Sequence, residues 1–142
     1  MDLQHLSDVD LLTACIWAEA RGEPLLGKVA VCNVVQNRAA GGKTIHDVIL
    51  APRQFSWTDP NDPNYQAVLY CLKPTPVPLS QWATSATIAR LALAGCFIDM
   101  TGGANHYLNI ELTKTMRHGT LPSWVDETKV TVKIGNHTFL RL

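Results

Sequence analysis

The spacing of apolar residues changes near the C-terminus of this 142-residue chain, and that change limits the folds open to it. Most of the chain before it shows the spacing of helices, whereas "KVTVKI-GN-HTFLRL" alternates apolar and polar residues around Gly135-Asn136. Two alternating runs joined by a Gly-Asn pair are typical of a β-hairpin with a two-residue turn. In that register Val132 faces Phe139 and Ile134 faces His137. We therefore predict an α+β fold, a mainly helical lobe followed by a small C-terminal antiparallel β-hairpin or sheet.

Five helices are expected before the hairpin. The first begins at the cap Ser7 and ends at about residues 19–21, because a Gly and a Pro follow closely. The second spans about 25–40, and another long helix follows a cap at Ser80. Two short helices are predicted in "TIHDVIL" and "YQAVLYCL", and "KPTPVP" is interpreted as a stiff connector. At this length we expect residues 1–142 to form a single domain.

Charge and hydropathy disfavour several classes of partner. Lys plus Arg number 12 and Asp plus Glu number 12, so no basic excess favours nucleic acid or a membrane surface. No apolar run reaches the ~20 residues that a bilayer requires, so we expect no membrane insertion. The N-terminus "MDLQHLSDVD" lacks the positive charge and the apolar core of a secretory signal. We therefore expect synthesis in the cytoplasm without a signal peptide, and a monomer.

The four cysteines agree with that compartment. Without a secretory signal, reduced thiols in the core are favoured over disulfides. No CxxC pair occurs, and the Cys and His positions show no zinc-site spacing. We therefore predict neither a metal nor a cofactor.

The stretch "IWAEARGEP" holds the strongest candidate for catalysis. Glu19 continues the apolar stripe of the first helix, and it lies in the last helical turn, where unpaired carbonyls disfavour negative charge. Burial and the helix dipole should both raise the pKa of its carboxyl, which suits a general acid. The alternative is a helix-end glutamate that only bonds a neighbouring amide or arginine. Arg21 is expected to point elsewhere, and Glu23 to be solvated.

Four blocks of sequence together resemble one enzyme family. They are "AEARGEPLLGKVAVCNVVQNR", "VILAPRQFSW", "GGANHYLN" and "PSWVDETKVTVKIGNHTFLR", and in this order they are similar to the catalytic domain of SleB-type cell-wall hydrolases. That family comprises spore-cortex-lytic enzymes and related bacterial and phage peptidoglycan hydrolases. The resemblance covers about residues 11–141, so it implies that the whole chain is one catalytic domain.

The resemblance implies a peptidoglycan glycosidase with a lysozyme-like helical lobe and one catalytic glutamate, which is Glu19 here. Its substrate would be the β-1,4 bond between N-acetylmuramic acid and N-acetylglucosamine. Without a leader or a wall-binding domain, the chain is expected to be a phage or prophage endolysin, or a bacterial relative, that reaches the wall after release.

The number of acids bears on the type of cleavage. Glycosidases usually need two carboxylates, whereas a lytic transglycosylase can use the sugar's N-acetyl and C6 hydroxyl groups with one glutamate. Asp59 and Asp62 lie in a turn-rich loop, and Asp99 is the best of the remaining acids. This favours transglycosylation and leaves simple hydrolysis by a muramidase open.

Two further clusters are typical of a sugar cleft, where rings stack on sugars and amides bind their polar groups. The predicted substrate-binding residues are Gln54, Phe55, Ser56, Trp57, His106 and Tyr107. For the two rings of the first cluster core packing is the alternative, and for its polar residues a loop hydrogen bond. The second cluster follows Gly102-Gly103, where a backbone can approach a ligand. His137 shares the apolar face of the hairpin and is expected to be a core histidine.

Two other functions remain open. One is a metal-dependent amidase or peptidase built on His106, His118 and His137, although their spacing fits no helical metal motif. The other is a non-catalytic peptidoglycan-binding module, against which the setting of Glu19 argues.

Overall fold

The computed structural model describes residues 1–74 and 79–142 and contains a helical body with a small sheet. Part of the predicted "KPTPVP" connector therefore lies outside the described residues. The helices are α1 (Asp8–Ala20), α2 (Leu25–Ala39), α3 (Ile45–Ile49), α4 (Pro63–Cys71), α5 (Trp82–Leu93) and α6 (Ile110–Met116). The strands are β1 (His106–Leu108), β2 (Val130–Ile134) and β3 (His137–Leu140). The predicted α+β fold is confirmed.

Helix α1 lies at the centre of the body. Every residue from 11 to 17 is buried, so the helix is enclosed on all sides and packs against α5, α2 and α3. The Ser7 side chain accepts a hydrogen bond from the amide of Asp10 at 3.1 Å, which confirms the predicted cap. The helix ends beside Gly22 and Pro24, within the predicted range. Its C-terminus consequently emerges from the core at Glu19.

Helix α5 begins differently from the prediction. Its N-cap is Gln81, with a φ of 70°, and no side chain caps the helix. The backbone carbonyl of Ser80 instead accepts a hydrogen bond from the indole nitrogen of Trp17 at 2.9 Å. The left-handed turn at Gln81 directs that carbonyl toward α1, so the expected cap at Ser80 was wrong.

The sheet has three antiparallel strands in the order β1-β3-β2. Val132 pairs with Phe139 and Ile134 with His137, which confirms the predicted hairpin register. A bulge falls between Val130 and Val132. The sequence did not predict β1, because a strand of three residues shows no readable period, and α6 was missed as well. The sheet contacts the helical body through β2, which packs against α2, and through Tyr107 of β1, which bonds Glu19 of α1.

Asparagines of α2 attach the loop that precedes β1. The Asn33 side chain accepts from the amide of Met100 at 3.1 Å, and that of Asn37 donates to the carbonyl of Ala104 at 2.9 Å. These bonds satisfy backbone groups that the helices and strands do not. The glycine-rich loop is therefore fixed to the helical body where β1 begins.

All four cysteines are free thiols. Cys15, Cys32 and Cys71 are buried as expected, whereas Cys96 is exposed because it follows Gly95 in a loop rather than in a helix. Among the described residues, no helix combines the length and the apolar character that crossing a membrane requires.

Candidate active site

Glu19 lies where the end of α1 meets the sheet. Its side chain is half-buried, and its Oε2 accepts a hydrogen bond from the hydroxyl of Tyr107 at 3.0 Å. Tyr107 belongs to β1 and pairs with Phe139 of β3. Two predicted site residues that are 88 positions apart in the chain are thus in direct contact.

The pKa of the Glu19 carboxyl is raised, chiefly because burial disfavours the charged form. The Tyr107 hydrogen bond and the positive charge of Arg38 oppose the rise, and the carboxylate of Asp62 adds to it. Arg21 does not oppose it, because its guanidinium stacks 4.4 Å from the Trp17 ring and donates to the Asn64 side chain at 2.9 Å. Relative to an exposed glutamate, Glu19 therefore favours its protonated form, which agrees with the predicted effect of burial on this carboxyl.

Tyr107 is held firmly in the position that contacts Glu19. Its ring centroid lies 4.9 Å from that of His137 and 5.7 Å from that of Phe139. Burial and the nearby charge of Glu19 raise the pKa of Tyr107, so the phenol stays neutral and can donate. Because the Tyr107 hydroxyl donates a hydrogen bond to Oε2, the acidic proton of a neutral Glu19 is expected on Oε1.

Arg38 of α2 was not predicted as a site residue. Its Nε donates to the Asn105 carbonyl at 2.6 Å, and its guanidinium carbon lies 5.4 Å from the Phe55 ring centroid. Its Nη1 is buried and has no hydrogen-bond partner within the described parts of the chain. Burial lowers the pKa of Arg38, and electrostatic interactions with the ionisable groups of Tyr107, Cys15 and Glu19 oppose this shift. Arg38 could have been identified from the sequence, because a charged residue near the end of a largely buried helix is unusual.

Two adjoining cavities lie beside this contact. The smaller, of about 270 Å³, is bordered by Tyr107 and Trp124 among others, and the larger has a volume of about 420 Å³. Arg38, Gln54 and His106 border both cavities. We call the two cavities together the groove. The structure therefore brings predicted residues of both clusters to one surface that reaches Glu19 through Tyr107.

His106 is oriented by its neighbours in the groove. Its Nδ1 lies 2.9 Å from the side-chain oxygen of Asn105, and its ring centroid lies 5.3 Å from that of Trp124. Asn105 offers an acceptor there, so Nδ1 carries the proton and Nε2 is left as an acceptor. Burial, and then the charge of Arg38, lower the pKa of His106, so the ring is a neutral polar group of the groove.

The "QFSW" cluster is divided between the surface and the core. Gln54 and Ser56 are exposed, whereas Phe55 is 4% and Trp57 is 1% exposed. Only Gln54 of the four borders the groove. The two rings offer no face on which a sugar could stack, so the expected binding role of Phe55 and Trp57 is corrected to core packing. Phe55 is extended and Ser56–Thr58 form a short 3-10 helix, and along this stretch the two rings lie in the core while Gln54 and Ser56 stay at the surface.

Glu23 is buried, at 8% exposure, so the expectation that it is solvated was wrong. Its two carboxylate oxygens accept hydrogen bonds from the main-chain amide and the side-chain amide of Asn136, both at 3.0 Å. Gly135, with a φ of 61°, completes this contact, because a Cβ there would lie 2.9 Å from Pro24 Cδ and 3.3 Å from Glu23 Oε1. Glu23 therefore binds the turn of the hairpin to the loop after α1.

His137 is a core residue, as predicted. Its ring packs between Tyr107 and Phe139, and its Nδ1 lies 3.5 Å from Glu23 Oε1 without forming a hydrogen bond. Burial lowers its pKa and Glu23 opposes this, so the ring is favoured in its neutral form. Across residues 1–74 and 79–142, no group of three His, Cys, Asp or Glu side chains is placed to hold a metal.

Asp99, the best of the other acids, is occupied by its own loop. Its carboxylate accepts from the amide and hydroxyl of Thr101 at 2.8 and 2.6 Å, and from the amide of Gly103 at 2.7 Å. Burial acts to raise the pKa of Asp99, and these bonds, with one from Asn37, outweigh it and lower the pKa. Asp99 is therefore an ionised anchor of the glycine-rich loop.

Comparison with known families agrees with this arrangement. A family model described as Cell Wall Hydrolase matches residues 22–140, which include Arg38, the groove and the hairpin. The chain belongs to the cell wall hydrolase family. The matched range begins just after Glu19 and does not include it.

Two spore cortex-lytic enzymes are similar to this cell wall hydrolase. That of Oceanobacillus iheyensis is 40% identical over 73 residues, which cover 44% of this chain and 26% of the relative. That of Bacillus cereus is 28% identical over 145 residues, which cover 95% of this chain and 44% of the relative. The chain thus spans less than half the length of the curated relatives it matches.

Two solved structures have a similar fold. The catalytic domain of the germination-specific lytic transglycosylase SleB from Bacillus anthracis has a TM-score of 0.68 and 28% identity, and the match covers 96% of this chain and 98% of that one. The catalytic domain of Bacillus cereus SleB has a TM-score of 0.68 and 29% identity, with 94% and 89% covered. This cell wall hydrolase therefore shares its fold with catalytic domains over nearly its whole length.

Proposed function

We propose that the protein cleaves the glycan strands of peptidoglycan at the β-1,4 bond between N-acetylmuramic acid and N-acetylglucosamine. The observation that carries this proposal is the contact of Glu19 with Tyr107 beside the groove. A half-buried carboxyl with a raised pKa next to a polar groove suits protonation of a glycosidic oxygen. Membership of the cell wall hydrolase family supports the substrate.

In the first step, neutral Glu19 transfers the proton on Oε1 to the glycosidic oxygen as the bond to the anomeric carbon breaks. Tyr107 keeps its hydrogen bond to Oε2 and stabilises the carboxylate that forms. Positive charge develops on the anomeric carbon, and the sugar's own N-acetyl oxygen stabilises it. The N-acetylglucosamine side leaves with the donated proton.

In the second step, the Glu19 carboxylate accepts the proton of the muramic C6 hydroxyl, and that oxygen bonds to the anomeric carbon. The product is a 1,6-anhydro ring, and Glu19 returns to its neutral state. This one-glutamate route is supported by the engagement of Asp99 in its loop and by that of Asp62, which caps α4 through the amide of Asn64 at 2.8 Å. The SleB relative of Bacillus anthracis is itself described as a lytic transglycosylase.

Simple hydrolysis is the second candidate, because the same acid could activate water in place of the C6 hydroxyl. Mass spectrometry of digested peptidoglycan distinguishes the two. We expect 1,6-anhydro-muramic ends, whereas reducing muramic ends would establish a muramidase. Free peptides without glycan cleavage would refute a glycosidase of either type.

The role of Glu19 is tested with Glu19→Gln, which keeps the side-chain shape and removes the acid. We expect a loss of at least about 100-fold in the rate of glycan cleavage, as general acid catalysis contributes. The matched control is Glu111→Gln, an exposed glutamate on α6 that borders neither cavity. A Glu19→Gln variant with full activity would overturn this assignment.

We further propose that residues 1–142 act as one catalytic domain, as a monomer, after release from the cytoplasm in which the chain is made. A phage or prophage lysin is the context we favour. Size-exclusion chromatography with light scattering tests the monomer. The route to the wall is tested by adding purified protein to cells from outside and by letting it reach the wall from within through a permeabilised membrane. We expect lysis once the protein has access to the wall.

A further inference from the structure

The groove carries more positive charge than the binding of a neutral sugar requires. Arg38 borders both cavities, Lys43 borders the larger and Arg53 the smaller. Against these three cations, Asp47 is the one acidic residue that borders either cavity in the described parts of the chain. Because acidic and basic residues are equal in number overall, this excess is local rather than a result of composition.

Asp47 is already engaged at the start of α3. Its Oδ2 accepts from the amide of Thr44 at 2.8 Å, and the Thr44 hydroxyl accepts from the amide of Asp47 at 3.0 Å. Within 1–74 and 79–142, no carboxylate lies within 4.0 Å of the charged nitrogens of Arg38, Lys43 or Arg53. The three cations of the groove therefore have no counter-ion in direct contact among the residues that the structure describes.

Two of these cations have unusual local settings. Among residues 1–74 and 79–142, the buried Nη1 of Arg38 has no hydrogen-bond partner, although most buried polar groups in proteins have one. Arg53 has a φ of 61°, a left-handed conformation that favours glycine. The loop before Gln54 thus keeps a strained arginine at the edge of the groove, where a glycine would remove the strain and the charge together.

We propose that the groove is a subsite for a carboxylate carried on the O3 substituent of N-acetylmuramic acid, with Lys43 of the larger cavity and Arg53 of the smaller as its cationic residues. This inference rests on the proposed function. The repeating sugars of the strand are uncharged, and the anionic groups lie on this substituent, either as the lactyl carboxylate or as the carboxylates of a peptide joined to it. The groove would then bind the substrate by its side branch while Glu19 acts on the glycosidic bond.

Three glycan substrates with the same sugars test this proposal. The first keeps its peptides, the second has lost them and ends in free lactyl carboxylates, and the third has those carboxylates converted to neutral amides. Initial rates of bond cleavage give KM and kcat for each, and binding to the Glu19→Gln variant gives Kd without turnover. The variants are Lys43→Gln and Arg53→Gln, with Lys133→Gln of the hairpin as the matched exposed control.

For the carboxylate-bearing substrates we expect Lys43→Gln and Arg53→Gln each to raise KM and Kd about twofold to fivefold, with kcat unchanged. Arg53→Lys should restore most of the loss, and Lys133→Gln should leave all values at those of the wild type. The amidated glycan should bind the wild type and the variants equally. If the two variants raise KM and Kd only for the glycan that keeps its peptides, the groove binds the peptide carboxylates. If they raise them equally for the glycan without peptides, the groove binds the lactyl carboxylate.

Equal KM values of the wild type for amidated and carboxylate-bearing glycan would overturn the subsite, as would an equal effect of Lys133→Gln. These outcomes leave glycan cleavage and its dependence on Glu19 intact. Failure of the proposed function appears differently, as no glycan cleavage of any substrate or as full activity of Glu19→Gln.

Discussion

Truncation of Glu23 tests the contact between the hairpin turn and the helical body. In Glu23→Ala, the main-chain and side-chain amides of Asn136 both lose their acceptor. Hydrogen bonds to a charged group contribute about 1.5–3 kcal/mol each, and the exposed position of Asn136 lets water replace part of this. We therefore expect the free energy of unfolding to fall by about 2–4 kcal/mol.

Urea unfolding followed by tryptophan fluorescence measures this change, with an unchanged m-value as the sign that unfolding remains two-state. With an unfolding entropy of about 2 cal/mol/K per residue, a loss of 3 kcal/mol corresponds to a melting temperature lower by about 10 °C for a chain of this length. Glu23→Gln should cost less, about 1 kcal/mol, because the amide keeps one acceptor and the Asn136 side chain can rotate to accept from it.

The control is Glu111→Ala, which removes an exposed glutamate from α6 and should change the free energy of unfolding by less than about 0.5 kcal/mol. The reasoning is refuted if Glu23→Ala is no more destabilising than this control. An equal cost of the Ala and Gln variants would instead show that packing of the side chain stabilises the turn and that its charge does not.

Three further predictions concern the site and the core. Burial raises the pKa of Glu19 in the folded state above its value in the unfolded state. Ionised Glu19 therefore lowers the stability of the fold at a pH above the folded-state pKa, and this cost is absent at a pH below the unfolded-state pKa. Thermal melts should accordingly show that Glu19→Gln stabilises the protein more at pH 8 than at pH 4. Tyr107→Phe removes a bond that lowers this pKa, so the alkaline limb of the kcat/KM profile should move to higher pH while kcat falls about tenfold. Trp57→Ala should cost about 3–5 kcal/mol of unfolding free energy by chemical denaturation, against less than about 0.5 for Ser56→Ala.

The helices and the hairpin could be predicted because their signals are local. The cap at Ser7 is set by residues within one turn, and the hairpin register is set by the period of two and the Gly-Asn turn. The predicted burial of Glu19 was correct, although α1 is enclosed on all sides, so the position of Glu19 at the end of a buried helix explains its burial better than the helix phase does. The missed cap at Ser80 is the exception, because a hydrogen bond from Trp17, 63 residues away, determines how that chain enters α5.

The burial of Glu23 could not be predicted, because the contact that buries it is not local in the sequence. Its partner Asn136 lies 113 residues away in the chain, and nothing in the "RGEP" stretch indicates that a turn will pack on it. Arg38 was missed similarly, because its partners at Asn105 and Phe55 come from two separate loops. In "QFSW" the residue types suggested a binding cluster, whereas the two rings are buried in the core and only the polar side chains reach the surface.

The two glutamates of "EARGE" therefore contribute to the same site from different positions. Glu23 fixes the turn between β2 and β3, and β3 pairs with β1 in the register that places Tyr107 opposite Phe139. Tyr107 in turn donates to Glu19, and its ring packs on His137, whose Nδ1 lies beside Glu23. The position of the hydroxyl that bonds the candidate acid thus depends on a carboxylate four residues further along the chain. A short motif can link a helix end to a distant sheet in this way, because one of its acids bonds Tyr107 of the sheet and the other is bound by the hairpin turn.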